Sequence, residues 1–129
     1  MMHCILSYLL LLVAVVSAAP GPSVYNPEIY VPNSDTVWKA GETYTVEWSK
    51  TSKDGRTIPE GHDGIIKLGY VEEGSIDEHL YWDLAAGFPL NSGSWNVTLP
   101  DNLATRSDYI VVVFGNSGNA SPKFTIQSR

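Results

Sequence analysis

Leu103-Ala104-Thr105-Arg106-Ser107-Asp108-Tyr109-Ile110-Val111-Val112-Val113-Phe114 carries the two clearest fold signals in the chain. Its second half, Tyr109 to Phe114, is a continuous apolar run rich in valine. Such a run suits a central strand covered on both faces, where every side chain meets protein. Its first half sets a leucine, then Thr105, then Tyr109 at the entry to that strand. This has the form of a tyrosine corner, in which the ring packs inside and the phenol hydroxyl bonds back to upstream backbone.

The flanking segments agree. Thr43 to Trp48 alternates, with Tyr44, Val46 and Trp48 on one face and Thr43, Thr45 and Glu47 on the other. That is the two-residue period of a half-buried strand. Ile66, Leu68 and Tyr70 repeat it around Lys67. Leu80, Trp82 and Leu84 do so against His79, Tyr81 and Asp83, and Trp95, Val97 and Leu99 against Ser94, Asn96 and Thr98. Phe124 and Ile126 close the chain, and Val24 to Val31 reads as an edge strand because Pro27 removes a ladder donor. Glycine turns separate the runs at Ala40-Gly41, Asp54-Gly55, Glu73-Gly74, Asn91-Ser92-Gly93 and Gly115 to Gly118. The pattern predicts an all-β, two-sheet antiparallel sandwich of about seven strands, of immunoglobulin or fibronectin type III character. No window shows a helical period, so a parallel α/β fold is excluded.

Ahead of this lies a different kind of segment. Ile5 to Val16 is apolar but for Ser7 and Tyr8, shorter than the roughly 20 residues a bilayer span needs. Ser17, Ala18, Ala19 and Pro20 follow, and the stretch reads as a secretory signal peptide cleaved after Ala18, with an uncleaved anchor as the alternative. The domain organisation is therefore 1–18 signal peptide and 19–129 a single sandwich. Removing residues 1–18 leaves 111 of 129 and takes the one cysteine, Cys4, with it. Thiol catalysis, Cys-ligated zinc and disulfide stapling are thereby excluded, and an apolar core must hold the fold.

Lys plus Arg number 8 against 14 Asp plus Glu, a net charge of −6. That balance argues against nucleic acid, which selects a basic footprint. No Gly-x-Ser-x-Gly elbow, His-Glu-x-x-His motif or phosphate-binding glycine loop occurs. Paired carboxylates could still meet in space, but no cleft is signalled, so no catalytic residue, cofactor or metal is assigned. Glu72, Glu73, Asp77, Glu78 and His79 form an acidic cluster without calcium-loop spacing, and it reads as a solvated turn. Ser49 to Asp63 is a long polar connection bearing Lys50, Lys53 and Arg56. An ordinary mobile loop is the simpler reading, and a partner-binding loop the functional one.

The alternation assigns Trp48, Trp82 and Trp95 to the core and leaves Trp38, beside a turn, ambiguous. Tyr81 points away from Leu80 and Trp82, on a face shared with His79 and Asp83. Tyr81, Trp38, His79 and Asp83 are therefore the candidate ligand-contacting residues. Asn96-Val97-Thr98 is a glycosylation sequon on a polar strand face, and Asn119-Ala120-Ser121 a weaker one because Pro122 follows.

The order of landmarks resembles the fungal family named after the N-terminal domain of yeast cell-wall-synthesis, killer-toxin-resistance proteins. Pro32 precedes Val37-Trp38-Lys39-Ala40-Gly41 and Tyr44-Thr45-Val46-Glu47-Trp48; Ile66-Lys67-Leu68, Gly93-Ser94-Trp95-Asn96-Val97 with Pro100, and Asp108-Tyr109 follow; Ser121-Pro122-Lys123-Phe124-Thr125-Ile126 closes it. The resemblance implies a secreted or wall-associated module linked to β-glucan, without catalytic residues to carry over. Its expected partner is wall polysaccharide. Many relatives continue into a Ser/Thr-rich stalk and lipid-anchor signal, whereas this sequence stops at Gln127-Ser128-Arg129 with no hydrophobic tail, so no membrane anchor is expected. That departure motivates the alternative of a freely secreted protein binding another secreted or surface protein.

Overall fold

The computed structural model describes residues 25–115 and 118–129. The signal-peptide segment, Cys4 and Val24 lie outside the described residues. The elements run β1 (Pro27–Val31), β2 (Val37–Lys39), β3 (Thr43–Ser52), β4 (Asp63–Tyr70), β5 (His79–Pro89), a 3-10 turn (Leu90–Ser92), β6 (Ser94–Thr98), β7 (Arg106–Phe114), β8 (Gly118–Ala120) and β9 (Phe124–Gln127). One sheet has the order β1-β3-β6; the other has the order β2-β9-β7-β4-β5, with β8 also pairing to β7. This is the two-sheet sandwich read from the sequence, with nine strands among the described residues where about seven were expected. The additions are the three-residue β2 and β8, too short to show a period. The pairing is also not wholly antiparallel, because β2 runs parallel to β9.

The central strand is β7, whose Tyr109, Ile110, Val111, Val112 and Val113 are all buried. Tyr109, Val111 and Val113 join the core with Val46, Trp48, Ile66, Leu68, Phe124 and Ile126. The tyrosine corner is present: the Tyr109 hydroxyl donates to the Ala104 carbonyl at 2.7 Å, and Leu103 is buried beneath it. The outer face of the smaller sheet is polar, with Thr43 against Thr98 and Thr45 against Asn96 as cross-strand pairs.

Two core assignments need adjusting. Trp48 is buried, its indole N–H donating to the Leu90 carbonyl at 2.8 Å. Trp95 lies on the expected face but stays 41% exposed, stacked on Phe88 with 5.4 Å between ring centroids. It sits on β6, beyond which no further strand pairs among the described residues. Trp82 is partly buried against the core.

The connection from Ser49 to Asp63 is tied down rather than loose. β3 continues to Ser52, Thr51 bridges Thr57, the Ser52 amide donates to the Arg56 carbonyl at 2.7 Å, and Ile58 is buried.

Candidate functional site

The site is made by an irregularity in the β4–β5 pairing. Leu68 is opposite Trp82 and Tyr70 is opposite His79, with a register shift between. Gly69 alone therefore faces Leu80 and Tyr81, the two-against-one count of a β-bulge. A bulge interrupts alternation, and here it sends Leu80 to the outer side of the sheet. A Cβ added to Gly69 would lie 2.8 Å from Leu80 Cδ2 and 2.3 Å from the His79 carbonyl oxygen. Only glycine admits so close an approach.

With Leu80 displaced, His79, Tyr81 and Trp82 gather on the side of the sheet that holds the core. The Tyr70 ring meets all three, at centroid distances of 5.2, 5.7 and 6.5 Å, and meets the buried Tyr109 edge-on at 6.4 Å. His79 and Tyr81 lie nearly parallel, 15° apart, at 5.8 Å. The facing sheet has three strands, and β5 is the free edge of the wider one. The aromatic corner is thus left partly open, and Tyr81 is 61% exposed.

Charged groups rim this ledge. The Arg106 guanidinium sits 3.8 Å above the Tyr70 ring centroid, a cation–π contact. Its orientation is held by a fork to Asp108, with Nε and Nη2 donating to the two carboxylate oxygens at 2.8 and 2.9 Å. Those hydrogen bonds hold the Asp108 carboxyl below the usual carboxylate range and raise the Arg106 pKa, so both stay charged. Desolvation, then the Tyr81 phenol, pushes the Tyr70 hydroxyl above the ordinary tyrosine value. Glu72 Oε1 lies 3.8 Å from His79 Nε2 on the other flank. Apolar ring faces bordered by fixed donors and acceptors suit a ligand with a C–H face and hydroxyl edges.

The sequence-assigned residues part company here. Tyr81 and His79 come together. Asp83 does not join them: it faces the opposite side, pairs with Lys67 at 3.2 Å, and borders a shallow depression of about 360 Å³ with Ile65 and Leu84. The extra residue opposite Gly69, between the Tyr70–His79 and Leu68–Trp82 pairs, is what breaks the expected shared face. Trp38 is corrected outright, being only 5% exposed. It stacks on Tyr44 at 4.7 Å and 4°, and packs edge-on to Phe124 at 5.1 Å. Its strand is at the opposite edge of the wide sheet from β5, four strand spacings or roughly 19 Å away. Lys50, Lys53 and Arg56 are exposed, Lys50 near the end of β3 and the other two on the β3–β4 connection. Arg56 is engaged there, 2.7 Å from Asp54 and 4.9 Å above the Tyr25 ring.

Tyr70, Arg106 and Glu72 escape a reading of single segments. Tyr70 alternates as an ordinary core residue, and Arg106 is placed by β7, which is not hydrogen-bonded to β5. Only the Arg106-x-Asp108 spacing, which puts opposite charges on one strand face, hinted at the fork. Among the described residues, no cluster of three or more His, Cys, Asp or Glu could hold a metal ion, and no helix is long and apolar enough to cross a membrane.

Comparison with curated proteins finds no match. A family model described as the Kre9/KNH-like N-terminal Ig-like domain matches residues 31–126, from the last residue of β1 into β9, and so takes in the whole aromatic ledge. The sandwich, its tyrosine corner and this match over most of the chain agree, and the protein belongs to the Kre9/KNH-like family of N-terminal Ig-like domains.

Proposed function

We propose that this protein, a domain related to cell-wall synthesis, is a secreted, non-catalytic module that engages β-glucan through the Tyr70–His79–Tyr81 ledge. The carrying observation is the exposed Tyr81 ring, backed by Tyr70 and rimmed by Arg106, Asp108 and Glu72. A pyranose presents an axial C–H face that stacks on such a ring, while its equatorial hydroxyls need polar partners at the margin. A binding role is supported over catalysis because the accessible centre consists of ring faces, not two carboxyl groups facing across a gap. The Arg106 and Asp108 charges at its rim are paired with each other, so retention on glucan depends little on moderate salt.

The test is retention on insoluble β-glucan of the full chain and of Tyr81→Ala and His79→Ala variants whose thermal midpoints match the parent. The parent is retained and Tyr81→Ala is lost to the supernatant. Undiminished retention of both variants would remove the ledge from consideration. A parent that ignores every fungal wall polysaccharide would favour a protein partner instead, with Lys50, Lys53 and Arg56 as the residues to change next.

A further inference from the structure

We propose that Asn96 carries an N-linked glycan which shields the open edge of β6, and that the second sequon, at Asn119, carries none. The second sequon is already the weaker by sequence, with serine for threonine and Pro122 directly after, and the fold separates the two further. Asn96 is exposed on the outer face of the smaller sheet, in a strand that among the described residues is bonded to β3 on one side only. Thr45 donates to its Oδ1 at 2.6 Å. That contact engages the oxygen and not Nδ2, the atom a glycan would occupy, on a residue that is itself exposed. Thr98, which completes the sequon, is exposed on the same face two residues on. A sugar here displaces no core group.

Asn119 is only 8% exposed, and its side-chain amide donates to the Pro27 carbonyl, tying β8 to β1. Ser121 of the same sequon is 6% exposed, its hydroxyl accepting from the Val111 amide at 3.0 Å. A glycan on Asn119 would have to break the link between the two sheets, so the folded state selects against it. The shielding half rests on a different feature. An uncovered edge strand offers unpaired backbone groups to another chain, and here a 41% exposed Trp95 adjoins them. A bulky hydrophilic sugar on the neighbouring residue blocks strand addition. It also leaves the ledge on the far end of β5 uncovered, since Phe88, the β5 residue that meets Trp95, lies seven positions on from Tyr81.

The proposal rests on the reading that the chain enters the secretory pathway, and the experiment keeps the two apart. The full chain is expressed in a yeast host, and medium and cells are assayed for the protein. Peptide mapping after glycosidase treatment in heavy-oxygen water marks each formerly glycosylated asparagine. Asn96 is expected to be marked and Asn119 unmarked, with the intact-mass heterogeneity gone in Asn96→Gln and in Thr98→Ala. Secreted protein unmarked at Asn96, or marked at Asn119, overturns the site assignment; protein that never leaves the cell and is unmarked overturns the secretory reading and the glycan with it. For shielding, light scattering before and after enzymatic deglycosylation is expected to show self-association rising at least several-fold on sugar removal. An unchanged mass distribution overturns that half.

Discussion

Gly69→Ala tests the link between the bulge and the ledge. The new Cβ would lie 2.3 Å from the His79 carbonyl oxygen and 2.8 Å from the His79 carbonyl carbon. An ordinary carbon–oxygen approach is no closer than about 3.3 Å, so a deficit of roughly 1 Å must be made up by moving backbone. The third contact, Leu80 Cδ2 at 2.8 Å, can swing aside; the backbone of β5 can move only by opening the β4–β5 ladder. Overpacking of this kind costs typically about 1–3 kcal/mol. The lower entropy of the unfolded alanine chain returns about 0.4–1 kcal/mol. The net loss is therefore centred near about 1.3 kcal/mol, a fall in midpoint of roughly 5–10 °C for a domain of this size. Urea titration would read the free energy, and near-ultraviolet circular dichroism the packing of Tyr70, Tyr81 and Trp82. Glucan retention should fall along with the dichroism, because Tyr81 is carried away from Tyr70. A variant with the parent's midpoint and the parent's aromatic spectrum would refute the bulge as the device that builds the site.

Trp48→Ala should cost roughly 3–5 kcal/mol through a core cavity and the lost bond to Leu90, whereas Trp95→Ala should cost only about 1–2 kcal/mol because much of its ring is already in water; equal losses in urea titrations would contradict the assigned depths. Tyr109→Phe should lose about 1 kcal/mol by removing the hydroxyl that meets Ala104. Burial raises the Tyr109 pKa, so that contribution is intact below the ordinary tyrosine value near 10 and is lost as pH rises through and beyond it; the gap between parent and variant should close in alkaline melts. Asp108→Asn should destabilise at neutral pH and converge with the parent in acid: the Arg106 fork lowers the Asp108 pKa, so its contribution is present above the ordinary carboxylate value near 3.9 and fades as pH falls below it. A gap independent of pH would show that the fork contributes nothing through charge.

Local pattern determined a good deal of this protein. The unbroken apolar run from Tyr109 to Val113 required a strand covered on both faces, and the clean alternation of Thr43 to Trp48 set which face of β3 enters the core. The tyrosine corner was legible because donor and acceptor are five residues apart, within one segment. Tertiary structure alone decided what depends on a partner strand. Trp38 is buried because β2 pairs in parallel with β9, from the far end of the sequence, and Phe124 and Tyr44 close over the indole. Trp95 is half open because the sheet it belongs to ends at its strand, and sheet width is not written in any one segment. Tyr81 is the sharpest case. Strict alternation put it on a common face with His79 and Asp83, yet one extra residue opposite Gly69 turned it toward Tyr70 and Trp82 and left Asp83 on the other side with Lys67. A strand's period is a property of its own backbone, but a bulge is a property of two strands in register, so the ledge exists only once β4 and β5 have met.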